Sequence, residues 1–156
     1  YAFMPHKGNW EEGNVWQESE RFNLYLTAGQ IAPTGHGKNP LTHSFLELKD
    51  ENLNVSAVKI SEDGEGYIVR LFNPSDKAVK NAIRLNGGIA PIAEAQSPVE
   101  RQKAEFELPE YTGKPWKEVK LVTLEEKDVA PLTVDADGFA EFEITGKKIL
   151  TFKFIG

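Results

Sequence analysis

Tyr67-Ile68-Val69-Arg70-Leu71-Phe72 decides the fold, set between Glu62-Asp63-Gly64-Glu65-Gly66 and Asn73-Pro74-Ser75-Asp76. Tyr67, Val69 and Leu71 alternate with Ile68, Arg70 and Phe72, and both rows are largely apolar. A short run of that kind between turn signals reads as a central strand, covered on both faces. Working outward, the period of two returns: Leu53, Val55 and Ala57 against Asn54 and Ser56, then Ala82–Leu85, Ala104–Leu108 and Val119–Leu124. It returns again in Ala140, Phe142 and Ile144, and in Leu150, Phe152 and Phe154. Between these runs stand Asn86-Gly87-Gly88 and Asp135-Ala136-Asp137-Gly138. Glycine supplies positive φ there, proline fixes φ, and Asp or Asn bonds its own backbone. Short strands at close spacing, with no helical period after Leu26, predict a mainly β fold: an antiparallel β-sandwich of roughly eight to ten strands.

Upstream of Ser44 the character changes. Residues 1–43 hold all three histidines and two of the three tryptophans, and read as a lead-in of an opening strand, one short helix and a loop, packed on a sandwich of residues 44–156. Val15, Ser19, Phe22 and Leu26 recur every three to four positions, which predicts a helix within Glu11–Leu26. Asn9 or Gly8 caps it, with Glu11 and Glu12 where the exposed N–H groups favour negative charge. Gly29, Pro33, Gly35, Gly37 and Pro40 then make Ala28–Pro40 a loop.

The chain has 156 residues, 40% of them hydrophobic and 27% charged, an ordinary globular composition that excludes disorder, collagen and coiled coil. Eighteen basic against twenty-four acidic side chains leave a net charge of −6, which argues against nucleic acid as a partner. No apolar run is long enough to span a bilayer as a helix. With zero cysteines there are no disulfides and no thiolate metal sites, so a reducing, cytoplasmic location is the expectation. The sequence starts at Tyr1 rather than Met and lacks a signal-peptide pattern, which reads as a piece of a longer chain.

Chemistry-bearing patterns are sparse. Glu11–Glu12, Glu125–Glu126 and Glu141–Glu143 read as solvated pairs rather than catalytic carboxylates. His36 and His43 are seven apart, a spacing outside the common zinc motifs, so no metal ligand is assigned. Asp135, Asp137 and Gly138 resemble only the start of a calcium loop, and a hairpin tip accounts for them. Neither GxSxG nor GxxxxGK[ST] occurs, and no residue is assigned a catalytic role. The stretch Pro5-His6-Lys7-Gly8-Asn9-Trp10 is the exception, because it concentrates hydrogen-bonding groups and an indole. His6, Asn9 and Trp10 suit a sugar, with the indole stacking on the ring and the other two bonding its hydroxyls. The alternative is that Trp10 and Trp16 anchor the lead-in, while Trp116 plugs an edge of the sandwich.

One resemblance covers nearly the whole chain. Tyr1-Ala2-Phe3-Met4-Pro5-His6-Lys7-Gly8, then Trp10, Val15 and Phe22-Asn23, resembles the stretch leading into the last β domain of family 38 glycoside hydrolases, the α-mannosidases. Asn54-Val55-Ser56-Ala57-Val58-Lys59, Glu62-Asp63-Gly64 and Ile68-Val69-Arg70-Leu71-Phe72-Asn73 are similar to that family's strand–turn–strand pattern. Lys148-Ile149-Leu150-Thr151-Phe152-Lys153-Phe154 resembles its closing strand. The resemblance implies a non-catalytic C-terminal β-sandwich of a retaining α-mannosidase acting on terminal α-mannose. Zinc and the catalytic acids would belong to a separate catalytic domain of the parent chain, and none of those motifs is here. That domain would be the partner, with mannoside met through it and self-association left open. A free-standing carbohydrate-binding or interaction module is the competing reading.

Overall fold

The computed structural model describes residues 1–30, 42–86, 116 and 118–156. The strand expected at 104–108, and with it His36 and most of the 28–40 loop, lie outside the described residues. The chain divides into two compact units, Tyr1–Lys38 and Asn39–Gly156.

In the first unit α1 spans Val15–Asn23, shorter than the Glu11–Leu26 predicted from spacing. Its start is delayed because residues 9–14 form a separate turn and Asn14 sits at φ 51°, in the left-handed region where a right-handed helix cannot begin. At the other end Asn23 Nδ2 bonds the Ser19 carbonyl at 2.8 Å, a side-chain competitor for the helical ladder. No residue of α1 is buried, and Phe22 and Leu26 of the expected apolar stripe are exposed. The opening strand expected in the lead-in is also absent, since residues 1–14 form turns and irregular backbone.

The second unit holds eight strands among the described residues: β1 Leu46–Leu48, β2 Asn54–Ile60, β3 Gly66–Phe72, β4 Val79–Leu85, β5 Glu118–Val122, β6 Asp128–Leu132, β7 Ala140–Ile144 and β8 Ile149–Ile155. They form two antiparallel sheets, one of three strands in the order β1-β4-β7 and one of five in the order β2-β3-β8-β5-β6. Stacking the alternating faces builds the sandwich core. Val69 and Leu71 of β3, Phe152 and Phe154 of β8 and Val119 of β5 meet Ile83 and Leu85 of β4 and Ala140, Phe142 and Ile144 of β7. Phe142 and Phe152 touch edge to face at 4.8 Å, the arrangement the ring quadrupoles favour.

The decisive strand lies in the interior of the five-stranded sheet, and Ile68, Val69 and Leu71 are all fully buried. Gly66, at its start, has no room for a side chain, because a Cβ would fall 2.0 Å from the Phe154 carbonyl oxygen. Trp116 bonds the Leu85 carbonyl at 2.8 Å and packs edge-on against Tyr67 and Phe154, closing the sandwich as its sequence position suggested.

Strand β2 departs from the simple alternation. A bulge between Val55 and Ala57 shifts its register, placing Val55, Val58 and Ile60 opposite Leu71, Val69 and Tyr67. These three share the core-facing side yet are 41%, 53% and 60% exposed. Among the described residues the five-stranded sheet is two strands wider than its partner, and these exposures make β2 its open margin.

Candidate functional site

Polar side chains in this fold gather at turns. Asn73, fully buried after β3, donates through Nδ2 to the carbonyls of Lys77 at 2.8 Å and of Ile144 and Thr145 at 3.2 Å. Its Oδ1 accepts from Ser75 N–H at 3.0 Å. One amide thus ties the β3–β4 turn to the β7–β8 turn. The β2–β3 turn is organised by Asp63, whose Oδ1 accepts from Ser61 Oγ and Glu65 N–H while Oδ2 meets Lys153. The Lys153 ammonium, then the Ser61 hydroxyl and the Glu65 N–H, hold the Asp63 carboxyl far below the usual carboxylate range.

At the β6–β7 connection Asp135 Oδ1 accepts from Asp137 N–H at 2.9 Å and Phe139 N–H at 2.8 Å. Gly138 there takes φ 85°, so the calcium-loop reading gives way to a hairpin tip. Glu141 and Glu143 are exposed on the outer face of the three-stranded sheet. There they line an open groove with Lys49, Lys80 and Ala82, a mixed-charge surface that no motif in the sequence marked. Phe139 lies between Lys49 at 4.8 Å and Arg84 at 4.5 Å, both within cation–π range.

Asn9 and Trp10 fall in the turn preceding α1, and His6 lies in the irregular backbone just before it. Asn9 Oδ1 accepts from Glu12 N–H at 3.0 Å while Glu12 Oε2 accepts from Asn9 N–H at 3.1 Å. That is a reciprocal capping box, with the side-chain oxygen of Asn9 already in use. His6 lies against Gly13, where an added Cβ would come 2.5 Å from Nδ1. Trp10 is 39% exposed, and its carbonyl accepts from Val15 N–H at 3.0 Å. In the next residue Glu11 Oε1 is shielded from solvent with no hydrogen-bond partner among the described residues, a feature the sequence did not disclose. Among the described residues no three histidine, aspartate or glutamate side chains converge to hold a metal ion, so they do not fit a zinc site. No helix in the described residues is long and apolar enough to cross a membrane.

Two stacked antiparallel sheets, with polar clusters engaged in fastening turns, define the class as a β-sandwich domain. Residues 52–152 match the family described as glycosyl hydrolases family 38 C-terminal beta sandwich domain, and the chain belongs to that family. No curated protein matches it.

Proposed function

We propose that this chain is the non-catalytic C-terminal sandwich of an α-mannosidase, that it braces the catalytic domain of the same parent enzyme, and that it works in the cytoplasm. The family match over residues 52–152 carries the reading. The saturated turn chemistry around Asn73, Asp63 and Asp135 supports it, because those groups serve the fold rather than a reaction. In this reading zinc and the reacting carboxylates are supplied by the catalytic domain. Assay of the purified chain on an aryl α-mannoside with added zinc tests the division of labour. No turnover is expected, and substantial turnover would refute it.

The His6–Trp10 stretch is the part of the chain we assign to sugar. Its support is the exposed indole of Trp10, an apolar platform on which a sugar ring can stack. Titrating mannose oligosaccharides against tryptophan fluorescence separates the two readings. Silence is expected of a bracing domain in which this stretch meets sugar only beside the catalytic domain, whereas a free-standing module would give saturable quenching that Trp10→Ala removes. Quenching that survives Trp10→Ala would move the site elsewhere. Saturable binding by the chain alone would favour the reading as a carbohydrate-binding module.

A further inference from the structure

The outer face of the five-stranded sheet is covered. Ile68 of β3 and Thr151 and Lys153 of β8 alternate with the core residues Val69, Phe152 and Phe154, so they leave the sheet on the side away from the three-stranded sheet. A solvated face would leave them open, yet they are 0%, 2% and 5% exposed. The turn between β5 and β6 reaches onto this side. Leu124 O accepts from Arg70 Nη2 at 3.4 Å, Glu126 Oε2 accepts from Glu62 N–H at 2.7 Å, and Glu126 Oε1 meets Lys59 Nζ at 2.9 Å.

These contacts fix the path of the turn. Lys59 belongs to β2, three strands from β5 in the sheet order, a separation of roughly 14 Å at about 4.8 Å per strand. The lysine side chain covers part of that distance. Glu126 also accepts from the backbone N–H of Glu62 in the β2–β3 turn, which a glutamate side chain alone does not reach from β5, so the backbone at Glu126 leans over the outer face toward β3. Glu126 itself sits at φ 64° with its side chain 7% exposed, a left-handed conformation that costs a non-glycine residue energy unless its surroundings hold it.

We propose that the Thr123–Lys127 turn is a strap closed over the outer face of this sheet by the Glu126 carboxylate, and that protonating that carboxylate opens it. The groups facing Glu126 are Lys59 on β2, Glu62 and Asp63 in the turn after it, and Arg70 on β3. Lys153 on β8 is engaged by Asp63, and within the strap Glu125 and Lys127 pair with each other at 2.6 Å. Burial pushes the Glu126 carboxyl up and the Asp63 charge does the same, but the Glu62 N–H and the Lys59 ammonium outweigh them and hold it below its ordinary value. The closed form is therefore favoured above the ordinary carboxylate range and is lost as pH falls through the lowered value.

The absence of cysteine makes the test direct. Thr151→Cys places one thiol under the strap. At neutral pH its labelling by a maleimide should accelerate about tenfold or more when Glu126→Gln or Glu126→Ala is added, as expected when a local opening equilibrium is shifted. Equal labelling rates in the folded variants would overturn the proposal. If the variants fail to fold, amide exchange of the unmodified chain decides, corrected for intrinsic rates and followed downward from neutral pH until protection at Phe152 is itself lost; the comparison is made at the pH where Glu62 first exchanges. Loss of protection at Glu62 with protection kept at Phe152 supports the strap; loss at both, or at neither, overturns it.

Discussion

Asn73 shows what a single side chain can hold. Its amide reaches carbonyls 71 and 72 positions away while its oxygen bonds its own turn, so removing it leaves several buried backbone groups without partners. Each unsatisfied group of that kind costs free energy, and Asn73→Ala should lose about 1–3 kcal/mol in urea titration with an unchanged slope. A loss below about half a kcal/mol would show that water replaces the amide. The sequence marks Asn73 as a turn residue after a strand, and local chemistry justifies that much. Its reach to Ile144 and Thr145 was not legible, because those partners become neighbours only when β7 and β8 are in place. Asn9 is the opposite case: expected to cap the helix, it pairs with Glu12 inside the preceding turn instead, and Asn14 stands at the start of α1 without a side-chain cap bond. The left-handed Asn14 that separates turn from helix has no signature in residue spacing.

Strands were legible where both faces are apolar or alternation is clean, as in β3, β7 and β8, since pleat geometry translates directly into sequence period. Strand β6 was missed because Pro131 interrupts it, which is tolerated since β6 stands last in its sheet among the described residues and needs fewer ladder donors there. Strand β1 has only three residues, too few to show a period. The alternation read through Leu53, Val55 and Ala57 breaks at the bulge, which leaves Val55 opposite Leu71 but Ala57 opposite Arg70, and a bulge is not written in residue spacing. These environments predict unequal costs for similar truncations. Leu71→Ala, fully buried within the five-stranded sheet, should lose about 2–5 kcal/mol, as truncation in a packed core does. Val58→Ala on the exposed margin should change stability by less than about 1 kcal/mol. Denaturant midpoints for the pair check the assignment of core and margin, and a reversed order would sink it.

At the scale of the whole molecule the ion pairs and turn carboxylates link stability to pH with a definite sign. Asp63 is lowered by Lys153, Ser61 and the Glu65 N–H, and Asp135 by the N–H groups of Phe139 and Asp137 and by Lys49, against its own burial. A carboxylate whose folded pKa lies below its unfolded value stabilises above the unfolded value, about 4, and the benefit disappears as pH falls through the folded one. The basic groups set the other limit. Lys59 is raised by Glu62 and Glu126, Lys120 by Asp128, and the Tyr67 hydroxyl by burial. Their contributions are complete below the unfolded values near about 10 and are lost above them. The urea midpoint of the chain should therefore be flat from about pH 5 to about pH 9, fall on acidification below about pH 4, and fall again above about pH 10. Salt should weaken the exposed pairs such as Lys127–Glu125 and leave Lys153–Asp63, whose lysine side chain is 6% exposed, far less affected. A midpoint that rises as the solution is acidified from pH 5 would mean that these carboxylates are opposed in the native state, and the turn-fastening role assigned to Asp63 and Asp135 would fall with it.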